Sequence, residues 1–234
     1  MLSCQSRKAG SAGATMRMLV MPPYKPNRGR AAIEFAAGPA RLSPVELIEE
    51  MYDGPAFREV LAAATDAVSL VRCDLRGADL RDADLTEVTF TDCVLDGIRL
   101  DGASVGGASF VGCRLMGASM PHTRGLGFTM QRSNLFAANL VGAVLANTDL
   151  TGCRFTEAVL RGADLRSSVF DGCELLGADL YAAKLDGADL RGAALGPCDL
   201  DRLRAMKGAI ITTLQARDIV IELSGVTVID NSTG

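Results

Sequence analysis

From Leu75 to Leu200 every fifth residue is large and apolar, with a single exception. In that register the chain is 26 consecutive pentapeptides, whose centre is Leu 18 times, Phe four times, Met twice, Val once and Gly once, at Gly125. Two residues before each centre the side chain is small: Ala 13 times, Cys six times, Ser or Thr four times, with bulk only at Val88, Ile98 and Phe128. A period of five matches neither the 3.6 of a helix nor the 2.0 of a flat strand, so it predicts a repeat solenoid.

Residues two apart on an extended backbone face the same way. The centre and the small residue before it therefore point inward, as Ala78 and Leu80 do in Ala78-Asp79-Leu80-Arg81-Asp82. Two residues after the centre, Gly stands in 14 of the 26 repeats, which marks a recurrent tight corner with positive φ. Cys73, Cys93, Cys113, Cys153 and Cys173 share a twenty-residue spacing broken only by Ser133, and Phe90, Phe110 and Phe170 share another. Side chains of like size recur every four pentapeptides because they stack in successive coils. The expectation is a square β-solenoid of about 6.5 coils, a rod roughly 30 Å long at ~4.8 Å per rung.

The flanks read as end covers. Ser43-Pro44-Val45-Glu46 has the pattern of an N-cap, first-turn proline and capping-box Glu, which predicts a helix to about Tyr52. Asp53-Gly54-Pro55 breaks it, and a second helix follows to about Ala64 with Phe57, Val60 and Leu61 apolar. After the repeat, Ala209 to Ile211 and Val226 to Ile229 read as strands around a helix that Thr213 caps and Gly225 stops. The expected division is an N-terminal extension over 1–40, a helical cap over 41–70, the repeat over 71–200 and a strand–helix–strand cap over 201–234. The first 33 residues hold six basic residues and no acid, and are read as disordered or as an over-extended start.

Repeats such as Ala83-Asp84-Leu85, Ala163-Asp164-Leu165, Ala178-Asp179-Leu180 and Ala188-Asp189-Leu190 resemble the pentapeptide-repeat family, over residues 71–200 without a gap. The resemblance implies a right-handed quadrilateral β-helix. The best-understood members are quinolone-resistance proteins that mimic B-form DNA and bind DNA gyrase. It therefore implies a type II topoisomerase as one partner, reached through acidic columns at the two ends of the rod: Asp79, Asp84, Asp164, Asp179 and Asp189. Charge argues against a continuous phosphate ladder. Residues 71–200 carry 17 acids and 12 bases, but no acid lies between Asp101 and Asp149, where Arg114, Arg124 and Arg132 stand.

A second reading is a scaffold or dimerising adaptor. Met116, Phe136 and Leu176, outward-facing and in twenty-residue register with Thr156 between, would form an apolar stripe for a protein partner or a second copy. The irregular stretch from Pro121 to Met130 is a third candidate: Phe128 or Leu126 fills the slot that Gly125 vacates, or His122 and its neighbours bulge into a recognition loop. No catalytic residue, cofactor or metal is expected. His122 is the only histidine, inward thiols on one line do not converge on a metal, and no nucleophile elbow, P-loop or dinucleotide fingerprint is present. The net charge of −4 makes no case for nucleic acid, no apolar run reaches the ~18 residues of a membrane span, and thiols used as core residues suggest the cytoplasm.

Overall fold

The computed structural model describes residues 45–125 and 127–229. The extension expected over 1–40, the cap residues Ser43 and Pro44, and Leu126 lie outside the described residues.

Four rows of parallel pairing run along the repeat, one for each successive pentapeptide. The first contains strands β1 (Val45–Ile48), β2 (Val68–Val71), β3 (Thr89–Thr91), β4 (Ser109–Val111) and β5 (Thr129–Gln131), paired in that order. Leu70 stands opposite Phe90, Phe90 opposite Phe110, and Phe110 opposite Met130. Single bridges make the other rows: Asp74 to Val94 and on to Ala194, Asp79 to Arg99 and on to Asp179, and Asp84 to Ser104 and Arg124. Pairing twenty residues apart in all four rows makes a β-helix-like stack of coils.

The centre residues from Leu75 to Leu195 are buried, Gly125 apart. Each fully buried Leu or Phe contributes roughly 1.5–3 kcal/mol of transfer free energy. Phe90 and Phe110 stack with centroids 4.9 Å apart and planes within 7°. At the corners the backbone is left-handed even where the residue is not glycine, as at Asp82, His122, Asn147 and Ala182, with φ between 55° and 59°. Each such L-residue costs ~1 kcal/mol, which the coil-to-coil bonds on either side offset.

The cysteine column has a polar task inside the core. Each thiol donates to the carbonyl of a centre residue one coil below: Cys73 to Leu47 at 3.4 Å, Cys93 to Leu70 at 3.5 Å, Cys113 to Phe90 at 3.4 Å and Cys153 to Met130 at 3.1 Å. Ser133 interrupts the cysteines without interrupting this bond, because its Oγ donates to Phe110 O at 3.3 Å. Burial pushes the Cys153 and Cys173 thiols up to about 12, so they stay protonated donors. All six described cysteines are free.

The flanks differ from the sequence expectation in three places. Residues 45–48 form strand β1, not a helix: Val45 and Leu47 alternate inward, and Leu47 pairs with Leu70. Period two and a ready sheet edge override the capping-box pattern. The helix expected after it does form, as α1 (Gly54–Ala63), with Asp53 Oδ1 accepting from the Ala56 amide and proline in the first turn. Phe57 is buried against Phe90. The other two differences are at the far end. Leu200 is not a core residue but 59 % exposed, and it opens helix α2 (Leu200–Ala205) under the cap Asp199. Helix α3 (Thr213–Ser224) has a full capping box from Thr212 and Gln215 and ends at left-handed Gly225. Of the two expected C-terminal strands, only a bridge from Asp189 to Ile210 forms, and Val226 to Ile229 pair with nothing among the described residues.

Side chains close the exposed backbone at both ends. Arg58 of α1 donates to Asp79 O at 3.3 Å and to Arg81 O. Arg202 of α2 donates to Ala178 O, Leu175 O and Leu195 O at 2.6–2.8 Å, and Gln215 of α3 donates to Leu190 O and Ala193 O.

Candidate functional site

The five acids expected to act together lie in three rows. Asp79 and Asp179 belong to the third, Asp84 and Asp164 to the fourth, and Asp189 to the first. Asp79 and Asp179 are five coils apart, roughly 24 Å at ~4.8 Å per rung. Four of the five are also held by arginine. Asp79 meets Arg81 at 2.7 Å, Asp164 meets Arg166 at 2.6 Å, Asp189 meets Arg191 at 2.6 Å, and Asp179 meets Arg161. The hydrogen bond from Arg81 lowers Asp79 to about 2, and Arg191 does the same for Asp189. These carboxylates remain ionised well into acid, but the adjacent guanidinium cancels much of the field they would offer a partner.

The sequence carries the signal for this pairing. Asp-Leu-Arg occurs at 74–76, 79–81, 164–166 and 189–191, and a residue one before and one after an inward centre both point out on the same side. Asp179-Leu180-Tyr181 lacks the motif and takes Arg161 from the coil before it, and Asp84, followed by Thr86, has no arginine. Its carboxylate accepts from the Thr86 amide and hydroxyl, and that hydroxyl bond lowers its pKa.

The apolar stripe is assembled. Gly97 N donates to Met116 O, Gly117 N to Phe136 O, Ala137 N to Thr156 O and Glu157 N to Leu176 O, so the four residues stand in successive coils. Met116 is 38 % exposed and Leu176 is 52 % exposed, while Phe136 is half-buried. Leu176 also shields the corner at Gly196.

At the irregular stretch, Gly125 does not leave an empty slot. Its backbone closes on the coil beneath, so that a Cβ would overlap Gly106 N and stand 2.7 Å from Gly106 Cα and from the Val105 carbonyl carbon. Phe128, in the small-residue position that follows, is buried. His122 is exposed at a left-handed corner, with its ring over the Gly142 backbone. Pairing is weaker here: Val144 N reaches Thr123 O at 3.4 Å, against 2.8–3.0 Å for most such bonds.

The sequence reading missed the exposed apolar residues at the C-terminal end. Of sixteen exposed large apolar residues among the described residues, ten lie between Leu200 and Ile229, among them Leu214, Val220, Ile221 and Leu223 of α3. Tyr181, 71 % exposed with the Arg161 guanidinium 5.8 Å from its ring centre, lies near the same end.

A stack of twenty-residue coils, with flanking-helix side chains bonded to carbonyls at both ends, defines a solenoid repeat protein. A model described as "Pentapeptide repeats" matches in eight copies, over residues 68–105, 133–172 and 158–196, and the repeat of this chain belongs to that family. The matched segments leave out 106–132, the stretch that contains Gly125. Among solved structures, a trypsin-treated variant of QnrB1, a plasmid-mediated fluoroquinolone resistance protein, is similar at TM-score 0.52 and 21% identity, over 80% of this chain and 100% of that one. HetL, a pentapeptide repeat protein involved in heterocyst differentiation regulation from the cyanobacterium Nostoc sp. strain PCC 7120, is similar at TM-score 0.31 and 24% identity, over 70% of this chain and 82% of that one. No curated protein matches. At such identities the likeness concerns the fold.

Proposed function

We propose that this protein is a non-enzymatic, protein-binding rod that pairs with a second copy of itself through its C-terminal end. The observation that carries this is the crowding of ten exposed large apolar residues into Leu200–Ile229. Exposed apolar residues gathered at one end mark a contact site, and a two-fold axis lets one such end cover itself. In this reading the coil is the right-handed square β-helix of the family, α1 closes one end, and α2 with α3 presents the other to the partner. The non-enzymatic reading is supported by carboxylates that point out from convex rows and are lowered by arginine, whereas a general acid needs a raised pKa. Free buried thiols favour a reducing compartment such as the cytoplasm. No helix among the described residues is long and apolar enough to cross a membrane.

Sedimentation of the purified chain tests the pairing. A dimer is expected, and Leu214→Glu with Val220→Glu should convert it to a monomer with unchanged circular dichroism. Phe136→Glu should leave the dimer intact. Dissociation by Phe136→Glu alone would move the contact to the Met116–Phe136–Leu176 stripe.

A second reading is action on a type II topoisomerase as a DNA-like decoy. It is favoured by the rod form and by acids standing toward both ends of the repeat, at Asp79, Asp84, Asp164, Asp179 and Asp189. A gyrase supercoiling assay separates it from the first: the decoy inhibits, or protects against quinolone, and loses the effect when Asp79 and Asp179 are reversed to lysine. Four arginine-bound acids and a waist without acids make the dimeric binding rod the reading the geometry supports best.

A further inference from the structure

Two adjacent rows weaken at one level of the stack. The second row is unbroken from Asp74 to Ala194 and the third from Asp79 to Asp179. The fourth stops at Arg124 and resumes at Val144, and in the first the sheet ends at β5, with only single bridges from Asp149 onward. Three backbone bonds that this corner makes elsewhere are missing among the described residues: Gly125 N–H to Val144 O, Gly127 N–H to Ala146 O and Asp149 N–H to Phe128 O. One coil later their counterparts are all present, Leu145 to Asp164, Asn147 to Arg166 and Val169 to Thr148, at 2.8–3.1 Å. What still crosses the gap is drawn out. Val144 N reaches Thr123 O at 3.4 Å and Met130 N reaches Asp149 O at 3.2 Å, with a side-chain bond from Gln131 to Asp149.

Gly125 accounts for the gap. Its backbone is drawn onto Val105 and Gly106 of the coil beneath, which carries the chain away from the coil above. Thr123 and Thr148, both buried, put hydroxyls into small inward positions on the two lips, where most coils have alanine or cysteine, so the lips share less apolar contact. Each coil touches only its neighbours, so no third coil braces the gap.

We infer that the rod is hinged here: it bends by opening the corner between the fourth and first rows, while the unbroken second and third rows hold the two halves together. The four rows follow one another around the coil, so the pivot is the corner farthest from the gap, between the second and third rows. Phe136 stands on that corner, half a coil after the lower lip and half a coil before the upper. Met116 precedes it by one coil and Leu176 follows it by two. Opening the gap therefore turns the apolar stripe concave about Phe136 and draws Met116 toward Leu176, and closing it straightens the stripe. The rod gains one direction of bending, coupled to a face that carries exposed apolar side chains.

Paired spin labels on the full chain test this. They are attached through p-acetylphenylalanine, which leaves the native thiols alone, and the labelled chain is diluted with unlabelled chain so that only distances within one molecule are read. One pair, at Thr86 and Asp186, lies on the opening corner; the other, at Arg76 and Leu176, lies on the pivot corner. Each pair is five coils apart, roughly 24 Å at ~4.8 Å per rung. The distance distribution of the first pair should be about twice as broad as that of the second. Amide hydrogen exchange gives an independent readout. Gly127 and Asp149 should exchange ~tenfold or more faster than Asn147 and Val169, while Asn134 and Asn139 in the pivot rows stay protected. Equal widths at the two corners, narrow or broad, overturn the inference. Protection of Gly127 and Asp149 equal to that of Asn147 and Val169 would show the corner closed in solution, and equally overturn it.

Discussion

Completing the repeat by Gly125→Leu is expected to destabilise the protein by about 3 kcal/mol, a lower denaturation midpoint at unchanged slope. Sequence logic points the other way, because leucine stands at 18 of the other 25 centres. The backbone decides the outcome. Gly125 has φ 150°, and its Cα approaches the coil below so closely that even a methyl would overlap Gly106 N. The obstacle is main chain at Val105 and Gly106, which cannot rotate aside as a side chain would. Phe128 already takes up core volume nearby. A contrasting variant isolates the cause: Gly77→Ala, at φ 66° with open space around it, meets only the left-handed cost of ~1 kcal/mol. Equal or greater stability of Gly125→Leu would show that the irregular stretch relaxes to the regular coil, and that the close approach is not held by its surroundings.

The difference between these glycines shows what a repeat sequence can and cannot express. Inward and outward positions, the four-pentapeptide coil and the stacked Cys and Phe columns follow from spacing alone, since a side chain's direction on extended backbone is fixed by its parity. Ser133 could be placed in the thiol column but not given its bond to Phe110 O, because that carbonyl is exposed only by the turn of the coil beneath. The ends were hardest. Val45 to Ile48 satisfies both a helix-start pattern and a strand alternation, and the deciding fact is an edge 23 residues later at β2. Leu200 keeps the period yet leaves the core, because Asp199 caps a helix just where no further coil exists to receive it. Of the candidate site residues, the stripe was legible from register. The arginine partners of Asp79, Asp164 and Asp189 are spelled out as Asp-Leu-Arg but pass unnoticed when charges are only summed, whereas Arg161 reaches Asp179 from the coil before it.

Arg202→Met should be the most damaging single change outside the core, costing about 3 kcal/mol. No sequence motif announces it. One guanidinium spans three carbonyls from two coils, at Leu175, Ala178 and Leu195, and so ties the last turn of the rod to the one before it. Methionine can fill the volume but leaves the Ala178 and Leu195 carbonyls without a donor and Leu175 O with the Ala178 amide alone, each lost bond costing on the order of 1 kcal/mol or more. Arg202→Lys should recover only part of the loss, since a single ammonium cannot reach carbonyls set out along a planar fork. The damage should be polar in the geometric sense as well. Amides of the last coils, such as Leu190 and Ala194, should lose exchange protection while those at Val94 and Arg99 keep theirs, because each coil contacts only its neighbours. If the Met variant melts with the wild type and Ala194 remains protected, the end of the stack is held by α3 and Gln215 instead, and Arg202 is incidental to it.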